Sequence, residues 1–498
     1  MKKYILEIIV FICGAVVMIL ELVGSRVLAP YVGTSIVVWT SLIGIILGSL
    51  SLGYWWGGKI ADKKPNYKTF SFIIFIPAIY IGLITFSKSI VLDFLQQNIT
   101  SIHIGATLST LILFALPSVL LGMISPYAVR LKIKDLDSSG KTVGSLYAIS
   151  TIGSIAGTFL AGFVLIAYFG STNILLVLSL ILVFTSLLAY IKSNLALKAI
   201  VILLLILGLI AVNSYDTFLK KQGFIDVDTQ YNRVLIYKSI DEETDRPILN
   251  MVINPREVQS AMFLDDDNDL VFMYSKFFHL VSHFKPDLRR SLMIGGAGYS
   301  FPKEYLKKYT EASIDVVEID PILTQLAKRY FNLRDNQRLT IYHEDGRTFV
   351  NKTKNTYDVI FTDAMNSLYS IPFQLTTKET VKRMYEMLND DGVVLVNMIS
   401  SIEGEGGEFL RAEYATFKTV FTQVYLFPVE DAHNSLEVQN IILVALKSKQ
   451  KPPLTSNDRE LNGYLQNLWT KEIQEDMPVL TDDYAPVDNY IMKIIKKL

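Results

Sequence analysis

The sequence predicts a multi-pass α-helical membrane domain, then a small β-hairpin subdomain, then an α/β domain with a mostly parallel sheet. Three observations predict it. Up to about Ser214 the chain is a series of long apolar runs; beyond it, charges recur every few residues. Residues 224–263 alternate apolar and polar side chains, and from 291 onward strand-like and helix-like segments alternate. Whole-chain averages conceal this break: the 498 residues are 51% hydrophobic with a formal net charge of −1, and the mean hydropathy is +0.34. The expected divisions are 1–213 for the transmembrane domain, 214–286 for the hairpin subdomain, 287–450 for a nucleotide-binding domain and 451–498 for a tail packed on it. A net charge near zero gives no reason to expect a nucleic-acid partner. Cys13 is the only cysteine, so the chain forms no internal disulfide and its second half has no thiol chemistry or cysteine metal site. No metal is expected.

A membrane-spanning helix needs about 20 apolar residues. Seven runs qualify, at roughly 4–23, 36–56, 70–88, 105–125, 143–168, 172–191 and 196–213. The first lacks a small-residue cleavage site and is followed by further spans, so it reads as a helix and not a signal peptide. The fifth contains Gly153 and Gly157 four residues apart, then Ala161, a spacing that lets helix backbones approach closely. Glu7, Glu21 and Arg26 lie in or near the first run, where charge is expected to be paired. Lys59, Lys63, Lys64 and Lys68, then Arg130, Lys132, Lys134 and Lys141, then Lys192 and Lys198 fall in three loops on one face. The positive-inside rule makes that face cytoplasmic. Seven spans then carry the second half to the outer side, whereas nucleotide-type donors are made inside cells. On that chemistry the second half is expected to be cytoplasmic.

In the second half, VLIYKSI and ILNMVIN read as hairpin strands. SLMIGGAGYS (291–300) is a strand and a glycine turn. FPKEYLKKY follows as a helix, IDVVEID as a strand and PILTQLAKRYF as a helix. RLTIYHEDGRTFV, YDVIFTDA and DGVVLVNMI add strands, separated later by helices near 376–389 and 407–420. Ligands of such sheets bind beyond the carboxyl ends of the strands, and acids stand at three of these: Glu318 and Asp320, Asp345, and Asp363. The Gly295–Gly298 turn allows backbone N–H groups to approach a ligand. The Glu318 carboxylate can accept both hydroxyls of a ribose, Asp345 can accept from an adenine amino group, and Asp363 is free to meet the reacting atom.

LMIGGAGYS…VVEID…HEDGRTF…YDVIFTDA resembles the spermidine synthases (polyamine aminopropyltransferases), which are built on the class I methyltransferase (Rossmann-like) fold. The likeness covers about 225–450. TQYNRVLIYK resembles the family's substrate-domain hairpin. DAMNSLYSIPFQLTTKE and TDDYAPVDNY resemble its membrane-fused branch. GGKIADKK (57–64) resembles a major-facilitator loop, and ELVGSRVLAPYVGTS (21–35) the first span of fused major-facilitator/spermidine-synthase chains. The resemblance implies decarboxylated S-adenosylmethionine, or S-adenosylmethionine, as co-substrate. Glu318, beside Ile319, would hold the ribose; Asp345 with Gly346 the adenine; Gly295, Gly296 and Gly298 the turn. Asp363 would orient and deprotonate the attacking amine. Asn232, Gln259, Tyr274 and Asn366 fall near substrate-pocket positions. A small-molecule amine, the lipid bilayer and a second copy of the chain are the partners implied.

The sequence also departs from the family. Soluble members read GGGDGG at the turn, and Gly298 replaces the acid that grips the donor's ammonium. Asn366 replaces a second acid three residues beyond Asp363. Ser275 and Lys276 follow Tyr274 in place of His-Glu. Each change removes negative charge or adds positive charge where a polyamine would lie, unless Glu257 or Asp265–Asp267 compensates. Two alternatives follow. One is a methyltransferase or other transferase on the same fold. The other is a non-catalytic polyamine or nucleoside sensor, or a transporter-like protein.

Overall fold

The computed structural model describes residues 4–33, 35–99, 101–133, 135, 139–192, 194–253, 258–364 and 371–495, the Asp216 side chain excepted. Contacts divide the chain into two compact units, Met1–Val234 and Leu235–Leu498.

The first unit holds seven helices long and apolar enough to cross a membrane: α1 (Ile5–Val32), α2 (Ile36–Lys63), α3 (Tyr67–Asn98), α4 (Ile102–Lys132), α5 (Ser139–Tyr168), α6 (Ser171–Ala189) and α7 (Leu195–Lys221). All but α6 run past the apolar cores that announce them in the sequence, α7 by two turns. On α5 and α7, Phe163 is 72% and Ile210 58% exposed, as suits helices that face lipid. The small residues of α5 do the packing expected of them. A Cβ at Gly153 would lie 2.1 Å from the Phe11 carbonyl oxygen, and one at Gly157 2.5 Å from that of Ala15. No larger residue lets α5 approach α1 so closely. Glu7 pairs with Lys132 of α4, and Arg26 donates to the carbonyl oxygens of Thr229 and Tyr231. Lys198, read from the sequence as a loop cation, is turned inward. Its Nζ donates to Ser71 Oγ at 2.7 Å and to the Ser186 carbonyl at 3.2 Å, near the C-terminal end of α6, where a cation is favoured.

A short strand, β1 (Ile225–Asp228), ends the first unit, and the division falls inside β2 (Arg233–Ile240). In the second unit β3 (Pro247–Ile253) pairs antiparallel with β4 (Val258–Phe263), as the alternation predicts. Helix α8 (Met273–Phe277) leads into the α/β portion. There β5 (Arg290–Ile294), α9 (Ser300–Lys308), β6 (Ser313–Val317), α10 (Pro321–Tyr330), β7 (Leu339–Tyr342), α11 (Gly346–Lys352), β8 (Tyr357–Thr362), α12 (Lys378–Met387) and β9 (Leu388–Ser400) follow in turn. Helix α13 (Glu408–Lys418), β10 (Gln423–Pro428), β11 (Gln439–Leu446), α14 (Arg459–Gln466) and α15 (Val487–Ile495) complete it.

The seven-stranded sheet runs β10-β11-β9-β8-β5-β6-β7. β7, β6, β5, β8 and β9 are parallel, while β11 is antiparallel to both β9 and β10. This is the Rossmann-like order of class I methyltransferases. The chain reverses direction of winding between β5 and β8, the switch point at which such sheets bind ligands. The tail contributes to the core: Trp469, Leu480, Val487, Tyr490 and Ile494 pack with residues of β9 and α13.

Candidate active site

Strands β5 and β8 end side by side, and their ends form the floor of a cleft of about 60 Å³ lined by residues between Ile253 and Asp363. Gly295 is required where the two meet. Its φ is +99°, and a Cβ there would lie 2.2 Å from the Asp363 carbonyl oxygen. Ala297 and Tyr299 also take left-handed backbone conformations, φ +43° and +56°. Such residues cost about 1–2 kcal/mol each and persist where surrounding contacts hold them. The holding contacts are visible. The buried Tyr299 hydroxyl bonds Thr324 Oγ1 at 2.7 Å, which His343 Nε2 also meets at 3.0 Å. Glu318, only 6% exposed, accepts from Gly296 N–H (2.9 Å) and Ala297 N–H (3.0 Å) through Oε2, and from Asp320 N–H (2.9 Å) through Oε1.

That network corrects one expectation. The turn's N–H groups do not point into open space for a ligand; two of them are taken by Glu318. The carboxylate still lines the cleft; of its four lone-pair sites three are taken, which leaves Oε1 room for one hydroxyl and not for the two expected. Burial pushes its carboxyl up from the ordinary range, against three backbone N–H groups that pull it down.

Asp363 is held, not free. Its Oδ2 accepts from the Tyr274 hydroxyl at 3.1 Å and its Oδ1 from Asn397 Nδ2 at 3.0 Å. Asn397 Oδ1 in turn accepts from Asn440 Nδ2 at 2.9 Å. Burial raises the Asp363 carboxyl above the ordinary range, and the bonds from Asn397 and Tyr274 oppose it. Burial and the neighbouring Asp363 charge also push the Tyr274 phenol well up, so it remains a donor. Stacking on Phe272, with ring centroids 5.8 Å apart, fixes the Tyr274 ring.

The acids at the other strand ends have structural duties. Asp320 caps α10 by accepting from Ile322 N–H, with Pro321 opening the helix. Asp345 Oδ1 caps α11 by accepting from Thr348 N–H at 2.9 Å. Its Oδ2 accepts no hydrogen bond among the described residues.

Of the sequence-predicted residues, Gln259, Tyr274, Gly295, Gly296, Glu318 and Asp363 line the cleft together. Gly298, Ile319, Asp345 and Gly346 lie in the same strand-end loops outside its lining. Asn232 belongs to the first unit, where its N–H and carbonyl close a turn with Thr229. Asn366 and Glu257 lie outside the described residues. Gly298 faces Ser260, whose Oγ would sit 2.4 Å from a Cβ at 298. Asp265 pairs with Arg246, and Asp267 bonds Asn268 and Asn332, so neither supplies charge to the cleft.

Sequence reasoning missed Asn397 and Ser260. The signal for Asn397 was present: a lone amide closing the otherwise apolar run VVLV at a strand's carboxyl end. Ser260 gave none, because its partner Gly298 is 38 positions away.

Two acids and no basic side chain line the cleft among the described residues, and the family comparison agrees with that chemistry. The spermine/spermidine synthase domain model matches residues 271–436. A polyamine aminopropyltransferase of Vibrio vulnificus is 28% identical over 247 residues, covering 46% of this chain and 80% of the relative. A probable polyamine aminopropyl transferase of Bifidobacterium longum is 26% identical over 285 residues, covering 53% and 61%. Among solved structures, a probable spermidine synthase of Corynebacterium glutamicum aligns with a TM-score of 0.40 at 20% identity, covering 48% of this chain and 85% of its own. The human methyltransferase-like protein 13 aligns with a TM-score of 0.31 at 20% identity, covering 43% and 97%. Glu318 and Asp363 both fall within the matched residues, whereas Gln259 lies before them.

Proposed function

We propose that the chain is a membrane-bound aminopropyltransferase that moves an aminopropyl group from decarboxylated S-adenosylmethionine to a diamine such as putrescine. The observation that carries this reading is the half-buried Asp363 carboxylate, clamped between Tyr274 and Asn397 at the sheet's switch point, one strand from Glu318. Glu318 would accept one ribose hydroxyl of the donor at Oε1, and Asp345 Oδ2 the adenine amino group. Asp363 would take a proton from the acceptor ammonium, freeing its lone pair. That nitrogen then attacks the methylene beside the sulfonium. The C–N bond forms, the C–S bond breaks, and its electron pair stays on sulfur as a neutral thioether. The sulfonium is already a good leaving group, so orientation supplies most of the acceleration. A raised Asp363 pKa improves the match between base and amine.

Gly298 supports a second reading, transfer of a methyl group from intact S-adenosylmethionine. No acid stands at 298 to hold a free ammonium or to repel a donor carboxylate. The two readings separate in one experiment. The purified full-length chain is incubated with decarboxylated donor and putrescine, and thioether nucleoside release is followed by chromatography. Asp363→Asn should lower turnover by about 10²–10⁴-fold. Absence of turnover with any diamine, together with tighter binding of the intact donor by calorimetry, favours the methyl-transfer reading. The seven long apolar helices support membrane insertion. A cytoplasmic second unit is the expectation from the donor's origin, and protease protection on intact cells tests it against the outer placement that the lysine-rich loops favour. A homodimer is likewise proposed, and light scattering tests it.

A further inference from the structure

A cavity of about 580 Å³ opens in the first unit, where α1, α3, α6 and α7 approach β1. Four basic side chains line it, Arg26, Lys88, Lys220 and Arg233, against two carboxylates, Asp226 and Asp228. Most of this charge is committed. Arg233 Nε donates to Asp226 Oδ1 at 2.9 Å in a two-pronged pair. Arg26 serves the carbonyls of Thr229 and Tyr231. Asp228 Oδ2 accepts from the Ser171 N–H (3.0 Å) and Oγ (3.2 Å), neutralising the N-terminal end of α6.

Two groups on the wall have unused capacity. Among the described residues, Lys88, which carries three N–H donors, makes one hydrogen bond, to Thr172 Oγ1 at 2.8 Å, and Asn173 Oδ1 is buried with no hydrogen-bond partner. An ammonium on a membrane helix needs a compensating charge, and the nearest carboxylate, Asp228, is already engaged with α6. A ligand that completes this wall therefore brings anionic oxygens for Lys88 and a hydroxyl donor for Asn173. A polyamine has the wrong sign.

We propose that this cavity binds a hydroxyl-bearing phosphate, with Lys88 as its principal charge and Asn173 receiving the hydroxyl. The same chemistry has two sources: free hydrogen phosphate, or the head group of a phospholipid such as phosphatidylglycerol. The proposal is independent of the reaction at Asp363.

Thermal unfolding of the full chain tests it. In one arm, inorganic phosphate is titrated at constant ionic strength into detergent-solubilised protein. In the other, the protein is reconstituted in nanodiscs of phosphatidylcholine with or without phosphatidylglycerol. Stabilisation in the first arm identifies free phosphate; stabilisation in the second alone identifies the lipid. Lys88→Gln should abolish the response, and the near-isosteric Asn173→Asp should weaken it at least tenfold by adding a repelling charge. If Lys88→Gln does not fold, Asn173→Asp decides. No stabilisation of the wild type in either arm overturns the proposal, as does a full response in a folded variant.

Discussion

Returning an acid to position 298 tests why the turn lacks one. An ideal Cβ at Gly298 lies 2.4 Å from Ser260 Oγ, 2.9 Å from Ser260 Cβ and 3.2 Å from Phe331 Cδ1. Gly298 is not among the left-handed residues of the turn, so the obstacle is steric, and its two nearest atoms belong to one side chain. Gly298→Asp should therefore destabilise the second unit by the roughly 1–3 kcal/mol typical of overpacking. At about 2–4 °C per kcal/mol for a domain of this size, its melting temperature falls by roughly 2–12 °C. Ser260→Gly removes both close atoms and loses only a 3.3 Å contact with Ser300, so the double variant should regain at least half of the loss. The carboxylate at 298 then meets the ammonium of the decarboxylated donor, in a charge-assisted bond of about 1.5–3 kcal/mol. Calorimetry should show binding roughly 10–100-fold tighter than wild type, with no gain for the intact donor. A single variant as stable as wild type would refute the steric account. A folded double variant without tighter binding would show that the donor's tail does not pass Gly298.

Tyr274→Phe removes one of the two donors on Asp363, and loss of a bond to a charged group, about 1.5–3 kcal/mol, should lower kcat/KM by roughly 10–100-fold. Because burial raises the Asp363 carboxyl, activity should fall as pH drops through a midpoint above the ordinary carboxylate range. Both Tyr274→Phe and Asn397→Leu should move that midpoint further up, since each bond favours the charged form; an unchanged pH profile would argue against Asp363 as the base. Arg411 of α13, 4% exposed on its side chain, pairs with the half-exposed Asp476 of the tail, whose carboxyl it holds below the ordinary range. The stability this pair contributes is present above the ordinary carboxylate pKa and is lost as pH falls through the depressed one. Asp476→Asn should lower stability at neutral pH by about 1–3 kcal/mol, with chemical denaturation as the readout, and should flatten the acid limb.

Local chemistry made much of this protein legible in its sequence. Seven apolar runs, each long enough to span a bilayer as a helix, were readable as helices, and Gly153 and Gly157 announced a close helix crossing. Strand–turn–helix alternation with acids at strand ends was enough to predict the sheet and to put Glu318 and Asp363 at the carboxyl ends of its strands. Tertiary structure decided what those groups are attached to. Asp320 and Asp345 carry the same carboxylate as Asp363, yet each is drawn into capping a helix, because the next residues present unsatisfied N–H groups. Glu318 gathers the amides of the glycine turn. Asp363 is poised by Asn397, 34 residues on, and by Tyr274, 89 residues back, pairings that only the tertiary fold creates. The missing acid of the glycine turn has the same origin: Gly298 lies against Ser260, and no reading of the turn alone reveals a neighbour supplied by another sheet.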